Sequence, residues 1–440
     1  MRATGIQAGK EVFQGYAYAY PHKTAYRRLD PQRPLREVWA GEDLSALFLY
    51  VHLPFCEMRC GFCNLFAMTN PGDGFMGKYL AALERQGEET ARALGDRARF
   101  ARLAVGGGTP TFLSAVELDH LLNVLGRLFP GISEAIPKAI EASPATIDEE
   151  KLALLKRRGV TRLSVGVQSF IEAETRALGR PQKTADLQKG LTLAAAAAFA
   201  CLNIDLIYGA QGQTAQTWRH SLEQALEYNP QEIYLYPLYV RPLTGLDRIG
   251  RPPADERLLF YRLGRDFLVS RGYRQISMRL FRASGYAPPE GPVYCCQEDG
   301  MIGLGAGARS YSSVVHYSTE YAVGVSGVRE IVEDYCGKSR AEFGAADYGC
   351  QLDAEEQRRR YVLKSLLRID GLSLESYTAR FGTDAFTDLP ELAALEEEGL
   401  GVVSDATLQL NERGFELSDV IGPWLFSEQM KKRMVEFALS

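Results

Sequence analysis

The chain has 440 residues, of which 46% are hydrophobic and 24% are charged, and its formal net charge is −5. A chain of this length can bury a large core and form two or three domains. Its composition is ordinary for a globular protein. The negative net charge argues against a broad nucleic-acid-binding surface, which would need an excess of Lys and Arg. We therefore expect a globular protein without a nucleic-acid partner.

Neither the N-terminus nor the most apolar internal segment predicts export or a membrane span. The first twenty residues contain no apolar h-region, so we expect no signal peptide. The most apolar window, residues 193–208, contains Asn203 and Asp205 and predicts a helix followed by a strand. Eight cysteines are too few for a disulfide scaffold in a chain of this length. We expect a cytoplasmic protein that has no membrane partner.

From Leu47 onward, short apolar runs alternate with stretches of helical periodicity. The apolar runs predict strands at 47–53, 102–105, 139–142, 162–167, 203–208 and 233–239. The periodic stretches predict helices at 79–94, 115–128, 147–157, 184–198 and 214–227. Strands separated by helices favour right-handed crossovers and a parallel sheet. The predicted fold is α/β, a partial (βα)6 barrel of the TIM type, with a doubly wound sheet as the alternative.

The composition on either side of this repeat predicts a division into four parts. Residues 1–43 form a Tyr-rich N-terminal arm, residues 44–316 the barrel core, residues 317–352 an irregular connecting segment and residues 353–440 a small C-terminal domain. In the last part, helices at 354–367, 374–381 and 389–398 precede a hairpin at 402–410. That order is typical of a winged-helix-like domain. Its acidic residues disfavour DNA binding, so we expect a packing role or a lid over a substrate.

Three cysteines follow the first predicted strand with the spacing C-x3-C-x2-C: Cys56, Cys60 and Cys63. A cubane iron–sulfur cluster usually takes four cysteines, so three thiolates would leave one iron open to a ligand that is not protein. A structural zinc site and unrelated thiols are the alternatives. Zinc usually needs four ligands, and the nearest histidine, His52, precedes the cysteines. The spacing therefore favours an iron–sulfur site.

Polar or glycine-rich features lie where the other strands end. The sequence GGGTPT, residues 106–111, follows the second strand; Glu141 ends the third, Gln168 follows the fourth and Asp205 lies on the fifth. The carboxyl ends of parallel strands meet at one edge of a sheet, where α/β proteins form their sites. We therefore expect these features to converge on one active site.

Each of these groups suits part of one ligand. Glycines allow close approach of the backbone, although a tight turn alone would also use them. Glu141 can bind an ammonium group or form an ordinary salt bridge, and Gln168 with Arg180 suits a carboxylate. Asp205 needs partners when it is buried, and ribose hydroxyls or backbone amides would serve. An amino acid joined to a nucleoside, S-adenosylmethionine (SAM), matches the whole set.

The segments YVHLPFCEMRCGFC, GGGTPT, IEASP, RLSVGVQSF, LGR, NIDLIYGAQGQT and GLGAGA occur in this order. In this respect the chain resembles coproporphyrinogen-oxidase-like radical SAM proteins, from about Leu47 to Ser312. The resemblance implies that the three cysteines are the catalytic ligands of a 4Fe-4S cluster and that a flavodoxin-type protein is the reductant. It implies SAM contacts at Tyr50, Phe62, Gly106, Gly107, Gly108, Thr109, Glu141, Gln168, Arg180 and Asp205. A second SAM would lie at Gly303, Gly305 and Gly307, as in several family members.

Three departures from the family pattern bear on the reaction. The pattern of true coproporphyrinogen oxidases has a fourth cysteine two positions after the third, and this chain has Leu65 at that position. The segment PVYCCQEDG lacks the His-Asn…Tyr-Trp motif of the haem-chaperone branch, and Cys295 with Cys296 fits neither branch. We therefore predict transfer of a methyl or methylene group from a second SAM, as C-methylation or cyclopropanation. The alternatives are an oxidative decarboxylase of the coproporphyrinogen type and a haem-binding chaperone.

The expected substrate is a natural product, an amino acid or a peptide. We expect its pocket to form between the Tyr-rich arm, residues 236–241 and the C-terminal domain.

Overall fold

The structure, a computed structural model, describes residue 6 and residues 12–13, 15–17, 19–132, 135–288 and 300–437. The strands are β1 (Arg27–Pro34), β2 (Leu47–Leu53), β3 (Phe55–Cys56), β4 (Met68–Thr69), β5 (Phe100–Gly107), β6 (Lys138–Ala142), β7 (Arg162–Gln168), β8 (Cys201–Tyr208), β9 (Glu232–Pro237), β10 (Tyr273–Gln275), β11 (Leu280–Ala283), β12 (Met301–Leu304), β13 (Arg309–Tyr311), β14 (Val315–Ser318), β15 (Ala345–Gln351), β16 (Leu372–Ser373), β17 (Gly401–Ser404) and β18 (Thr407–Leu410).

The helices are α1 (Leu35–Trp39), α2 (Phe75–Leu94), α3 (Ala115–Leu128), α4 (Glu149–Arg157), α5 (Glu172–Ala177), α6 (Thr184–Ala196), α7 (Ala215–Leu226), α8 (Gly245–Arg248), α9 (Arg257–Ser270), α10 (Val325–Gly337), α11 (Arg340–Phe343), α12 (Ala354–Leu366), α13 (Leu374–Phe381), α14 (Ala385–Asp388), α15 (Ala394–Glu397), α16 (Glu412–Glu416), α17 (Ser418–Trp424) and α18 (Glu428–Val435). Short 3-10 helices occur at Lys23–Ala25, Gly95–Arg97, Pro110–Phe112, Pro144–Thr146 and Pro390–Ala393. Within the described ranges, no helix has both the length and the apolar character needed to cross a bilayer.

The main sheet contains thirteen strands in the order β1-β15-β14-β13-β12-β2-β5-β6-β7-β8-β9-β11-β10. The strands β2, β5, β6, β7, β8 and β9 are parallel neighbours in chain order, and they coincide with the six predicted strands. Helices α2, α3, α4, α6 and α7 connect them at the predicted positions. The α/β prediction of a partial barrel is confirmed. Antiparallel strands continue the sheet beyond β12 and beyond β9, which the alternation of the sequence did not indicate.

Local sequence explains why these elements begin where they do. Along β2, Leu47, Leu49, Val51 and Leu53 are all fully buried, whereas Phe48 and Tyr50 between them are half-buried. Successive side chains of a strand point to opposite faces, so β2 packs one whole face against the core. Helix α3 begins after Ser114, whose hydroxyl accepts from the amide of Glu117 (3.3 Å) while the Glu117 carboxylate accepts from the Ser114 amide (2.8 Å). This capping box fixes the first turn.

The C-terminal part has its own apolar core and a small sheet, β16-β18-β17. Helices α12 and α13 precede the β17–β18 hairpin, which confirms the predicted winged-helix-like order. The predicted helix at 389–398 is a 3-10 turn followed by the short α15. Ala17, Tyr20 and Tyr26 of the N-terminal arm are buried in the same core. The arm is therefore part of the packing of the C-terminal domain.

The segment 317–352 is more regular than its composition indicated. It contains α10, α11 and β15, and β15 pairs with β14 on one side and with β1 of the arm on the other. Scattered Gly and Tyr residues in β15 hid its strand character, because they give no clear alternation of apolar and polar positions. The predicted domain boundaries themselves stay a prediction.

A buried ion pair joins the C-terminal domain to the core. The Arg279 guanidinium donates to both carboxylate oxygens of Asp419 (2.7 and 2.8 Å), and the two residues are 3% and 1% exposed. The Tyr239 hydroxyl hydrogen-bonds to both partners. The guanidinium also lies 3.8 Å from the ring centre of Tyr16 in the arm. One side chain therefore contacts three parts of the chain.

Removing the acid from this pair should destabilise the protein. Asp419→Ala leaves Arg279 buried and unpaired, which we expect to lower the free energy of unfolding by about 3–5 kcal/mol. The measurement is urea unfolding followed by tryptophan fluorescence. Glu320→Ala is the control, because the Arg28–Glu320 pair is 85% and 48% exposed and should contribute below about 1 kcal/mol. Equal midpoints for the two variants would contradict the role of the buried pair.

Candidate active site

The cluster loop, residues 56–65, leaves the carboxyl end of β2 and carries the three cysteines. Its backbone is fixed by two neighbouring loops. The Gly61 amide donates to the carbonyl oxygens of Leu178 (3.1 Å) and Gly179 (3.2 Å), and the Leu246 amide donates to the Gly61 carbonyl (2.8 Å). These contacts come from the loops after β7 and β9. The cluster loop follows β2, the first of the parallel strands, and is therefore held by segments that follow β7 and β9, farther along the sheet.

The glycine turn after β5, Gly106–Thr109, packs against the cluster loop. The Thr109 amide donates to the Phe55 carbonyl (2.7 Å), and the Thr109 hydroxyl lies 3.6 Å from the Cys56 sulfur. A Cβ on Gly108 would lie 2.6 Å from the Phe55 oxygen and 2.9 Å from the Cys56 sulfur. Gly107 has a φ of 117°, a conformation that favours glycine. Close packing against the cluster loop and the backbone conformation therefore require glycine at these two positions of the predicted turn.

Glu141 lies beside this turn at the end of β6. Its carboxylate accepts from the Gly107 amide (3.0 Å) and faces the cavity described below. Burial raises the pKa of Glu141 to about 7, and the nearby Asp205 acts in the same direction while the Gly107 amide lowers the pKa. The carboxyl group therefore changes its charge close to neutral pH.

Asp205, half-buried in the wall of the cavity described below, has hydrogen-bond partners on two strands. Its carboxylate accepts from the Asn203 side chain (2.8 Å) and from the Ser164 hydroxyl (3.4 Å). Burial raises its pKa despite these hydrogen bonds. The Asn203 amide also donates to Ser164 (2.7 Å), so the three side chains form one network across β7 and β8. The sequence did not indicate the roles of Ser164 and Asn203, because they depend on the register that pairs Ser164 with Asn203 across β7 and β8.

Gln168 and Arg180 face the same space from the end of β7 and the loop after α5. Gln168 has a φ of 70°, an uncommon conformation for a residue with a side chain. A Cβ on Gly166 would meet the Gln168 amide nitrogen at 2.8 Å and the Arg180 guanidinium at 3.5 Å. Arg180 donates to the Ser143 hydroxyl (3.0 Å). The two side chains are therefore neighbours.

One cavity of about 1540 Å³ collects most of the predicted site residues. Its lining includes Cys56, Cys60, Phe62, Cys63, Gly107, Gly108, Thr109, Glu141, Gln168, Arg180 and Asp205. The other walls come from Tyr16 and His22 of the arm, from residues 236–239, 241 and 242, and from Trp424 and Lys431 of the C-terminal domain. The pocket lies between the three parts from which the sequence predicted it.

The remaining predicted residues are outside the cavity lining. Gly106 packs behind the turn, where a Cβ would lie 2.8 Å from the Glu141 carboxylate. The Tyr50 hydroxyl lies 3.2 Å from Nδ1 of His52. Gly305 and Gly307 donate their amides to Gln86 (2.7 Å) and Thr319 (2.8 Å), and Gly303 packs against Arg309. These glycines have a packing role, and their contact with a second SAM stays a prediction. Cys295 and Cys296 lie outside the described residues.

The three cysteines fit a cluster by their chemistry. They are free thiols that line one cavity, and burial raises the pKa of Cys56 to about 12, that of Cys63 to about 11 and that of Cys60 above its usual value. Such thiols release protons when a metal group binds. No three His, Cys, Asp or Glu side chains of the described ranges form the compact shell of a single metal ion. A cubane does not need that shell, since each thiolate holds a different iron.

Sequence reasoning missed the glycines that bring these loops together. A Cβ on Gly61 would lie 2.9 Å from the Leu178 carbonyl, and one on Gly245 would lie 3.1 Å from the Gly61 Cα. Gly179 has a φ of 66° and faces Gly61 from the other side. Gly61 stands between two of the cysteines, and that position is the one signal that would have singled it out.

Known proteins share this architecture. Residues 50–225 match the radical SAM superfamily, and residues 352–417 match the HemN C-terminal domain. The heme chaperone HemW of Bacillus subtilis is 29% identical over 86% of this chain and 98% of its own length. The oxygen-independent coproporphyrinogen III oxidase of Escherichia coli is 28% identical over 92% of each chain. The solved structure of coproporphyrinogen III oxidase (HemN) from Escherichia coli has a TM-score of 0.76 at 24% identity, over 91% of this chain and 96% of that one.

The fold and the site define a radical SAM protein, a class that uses a 4Fe-4S cluster and SAM. The chain belongs to the oxygen-independent coproporphyrinogen III oxidase-like (HemN-like) family of the radical SAM superfamily. The match spans all three cysteines, so the zinc alternative falls.

The predicted methyl or methylene transfer is wrong. The relatives that extend along the chain are a heme chaperone and a coproporphyrinogen oxidase, and they favour the alternatives to that reaction. The prediction gave too much weight to Leu65, which takes the place of a fourth cysteine. In the structure Leu65 is 49% exposed and lines the cavity, so its identity changes the lining of the cavity while the three cluster ligands remain.

The contact between the glycine turn and the cluster loop predicts a loss of iron. Gly108→Ala should lower the cluster content several-fold, because the new Cβ would collide with Phe55 and Cys56. The measurement is iron and sulfide per chain after anaerobic reconstitution. Gly126→Ala in α3 is the matched control, because its Cβ meets nothing within 4 Å. Full iron content in Gly108→Ala would show that the turn does not determine the cysteine geometry.

Proposed function

We propose that the protein is a radical SAM oxidoreductase that acts on a tetrapyrrole, by oxidative decarboxylation of the coproporphyrinogen type. The observation that carries this proposal is the single cavity of about 1540 Å³ with the three cysteines in its wall. Pockets for one drug-sized ligand measure about 300–1,000 Å³. The cavity therefore has room for a nucleoside cofactor together with a large substrate. The relatives support a tetrapyrrole, since one is named for heme and the other for coproporphyrinogen.

When bound, the reduced cluster and SAM supply a 5′-deoxyadenosyl radical that removes a hydrogen atom from the substrate. The chain itself orients the two molecules and excludes water. In this proposal Glu141 binds the SAM ammonium group, and Gln168 with Arg180 binds its carboxylate; all three side chains line the cavity, which supports the assignment. Asp205 suits the ribose hydroxyls, because its carboxylate keeps accepting capacity beyond Asn203 and Ser164.

The proposed reaction converts a propionate side chain into a vinyl group. Loss of one hydrogen atom from the carbon next to the ring leaves a carbon radical. Loss of CO2 and of one electron then forms the carbon–carbon double bond, and a one-electron acceptor, proposed here as a partner, takes that electron. A flavodoxin-type protein is the proposed reductant that starts each cycle, and a reducing compartment such as the cytoplasm would protect the open iron.

The cofactor prediction also includes a second SAM molecule. The sequence placed it at Gly303, Gly305 and Gly307, whose packing is described above. We propose that one SAM molecule binds at the wall formed by Glu141 and Asp205. Equilibrium dialysis of the cluster-loaded protein against SAM gives the number of molecules bound per chain, which is two if the second molecule binds.

The raised pKa of Glu141 predicts a pH-dependent affinity for SAM. The carboxylate form binds the ammonium group, and the pKa of about 7 means that this form is lost as pH falls. We expect binding to weaken about tenfold between about pH 8 and pH 6, measured by anaerobic equilibrium dialysis. Glu141→Gln should bind weakly at both pH values, and Glu150→Gln, at the exposed start of α4, should behave as the wild type. An unchanged pH profile in Glu141→Gln would contradict the assignment.

The reaction is tested under anaerobic conditions with coproporphyrinogen III, SAM, a chemical reductant that starts the cycle and an added one-electron acceptor that takes the electron released with CO2. We expect 5′-deoxyadenosine and a product that has lost CO2 and two hydrogen equivalents, in equal amounts, by mass spectrometry. Cys60→Ser should form neither product. A methylated product, or tight stoichiometric binding of haem without SAM cleavage, would reject the oxidase and, in the second case, favour a chaperone.

A further inference from the structure

The cluster loop carries a basic side chain that the predicted SAM contacts do not use. Arg59 stands between Cys56 and Cys60, directly before the second cysteine. The residue is half-buried, and within the described part of the chain its buried Nη1 meets no hydrogen-bond acceptor. A buried cationic donor without an acceptor is costly. We therefore expect this nitrogen to face a group that the chain itself does not supply.

Two hydrogen bonds fix the side of the loop on which the guanidinium lies. The Nη2 group of Arg59 donates to the Val323 carbonyl. Close by in the same segment, the Tyr321 hydroxyl donates to the Asn64 carbonyl (3.3 Å). Arg59 and Asn64 flank the second and third cysteines in the sequence. The guanidinium therefore lies along the part of the loop that holds two of the three thiols.

These two cysteines are close together, and the charge of Arg59 acts on one of them. The Cys63 amide donates to the Cys60 carbonyl (3.1 Å), which closes a tight turn. Burial raises the pKa of Cys63 to about 11, and the positive charge of Arg59 acts in the opposite direction. The guanidinium is therefore near enough to stabilise negative charge at a cluster ligand.

The position of Arg59 relative to the cavity narrows the choice of acceptor. Among the described residues, Arg59 does not line the cavity, whereas its neighbours Met58 and Cys60 do. A ligand in the open cavity therefore meets the cysteines and not the guanidinium. The group that binds directly on the cysteines is the 4Fe-4S cluster, and the sulfur atoms of such clusters accept hydrogen bonds that help to set the reduction potential.

We propose that Nη1 of Arg59 donates a hydrogen bond to a sulfur atom of the bound cluster and that the guanidinium charge stabilises the reduced cluster. A 4Fe-4S cluster held by three thiolates is negatively charged, and it becomes more negative when it takes one electron from the reductant. A nearby cation favours the more negative state and so raises the reduction potential. This inference rests on the cluster of the proposed function and is independent of the substrate.

The test is an anaerobic redox titration of the full-length, cluster-loaded protein with a photoreduced deazaflavin and low-potential mediator dyes. Electron paramagnetic resonance records the reduced cluster, so only chains that hold a cluster contribute. Arg59→Gln removes the charge and should lower the equilibrium constant for one-electron reduction about tenfold, a shift of about 59 mV to more negative potential. Arg59→Lys keeps the charge without the planar fork and should recover part of the shift.

Arg329→Gln is the matched control. The Arg329 guanidinium donates to the carbonyl oxygens of Thr69 and Asn70 (both 3.2 Å), just beyond the cluster loop. Its side chain is 37% exposed and pairs with Glu333 (3.7 Å). This variant therefore loses a similar backbone anchor and the same charge, but at an exposed position, and its potential should equal that of the wild type.

An unchanged potential in Arg59→Gln, or an equal shift in the control, would overturn the inference. A Gln variant that took up no cluster while Arg59→Lys did would assign the residue to cluster assembly and overturn it as well. The titration contains neither SAM nor a tetrapyrrole. The expected shift without decarboxylation by the wild type would therefore reject the proposed reaction and leave the role of Arg59 standing, whereas turnover with an unchanged potential would do the reverse.

Discussion

The close contact between the glycine turn and the cluster loop is the constraint on which the site depends. At Gly106, Gly107 and Gly108 an added Cβ would lie within 2.6–2.8 Å of, respectively, the Glu141 carboxylate, the His52 ring and the Phe55 carbonyl. His52 in turn donates from Nε2 to the Phe66 carbonyl (2.8 Å). Burial lowers the pKa of His52 to about 4, so it stays neutral. The glycine turn therefore determines the distance between the cysteine thiols of the cluster loop and the Glu141 carboxylate. No flexible side chain of the turn lies between them.

The sequence predicted the parallel strands well because their signal is local. Each of β2 to β9 in the parallel set is a short apolar run between helical stretches, and the start of α3 agrees to the residue because Ser114 and Glu117 form a cap. The convergence of the polar residues at the strand ends was also predictable, because the topology of a parallel sheet brings all its carboxyl ends to one edge. Eleven of the predicted site residues line the cavity.

What the sequence did not predict depends on contacts between distant residues. Gly61 bonds to Leu178 and Leu246, and nothing near Gly61 in the sequence indicates either partner. The same holds for β15, which is a strand because β1 and β14 pair with it. The wrong reaction type has a related cause, because Leu65 was judged as a motif position and its place in the cavity wall could not be seen. Whole-chain similarity to oxidase and chaperone relatives averages over such single positions.

The division of the cavity between two domains has a consequence for binding. Arg279 and Asp419 hold the C-terminal domain against the core, and the same pair orients Tyr239 beneath Arg241. A ligand that fills the cavity touches walls from the core and from the C-terminal domain. It adds its own binding energy to that interface, because it binds only the docked arrangement. Domain docking and substrate binding are then linked through a shared set of contacts, and weakening the buried ion pair would lower substrate affinity even though neither Arg279 nor Asp419 lines the cavity.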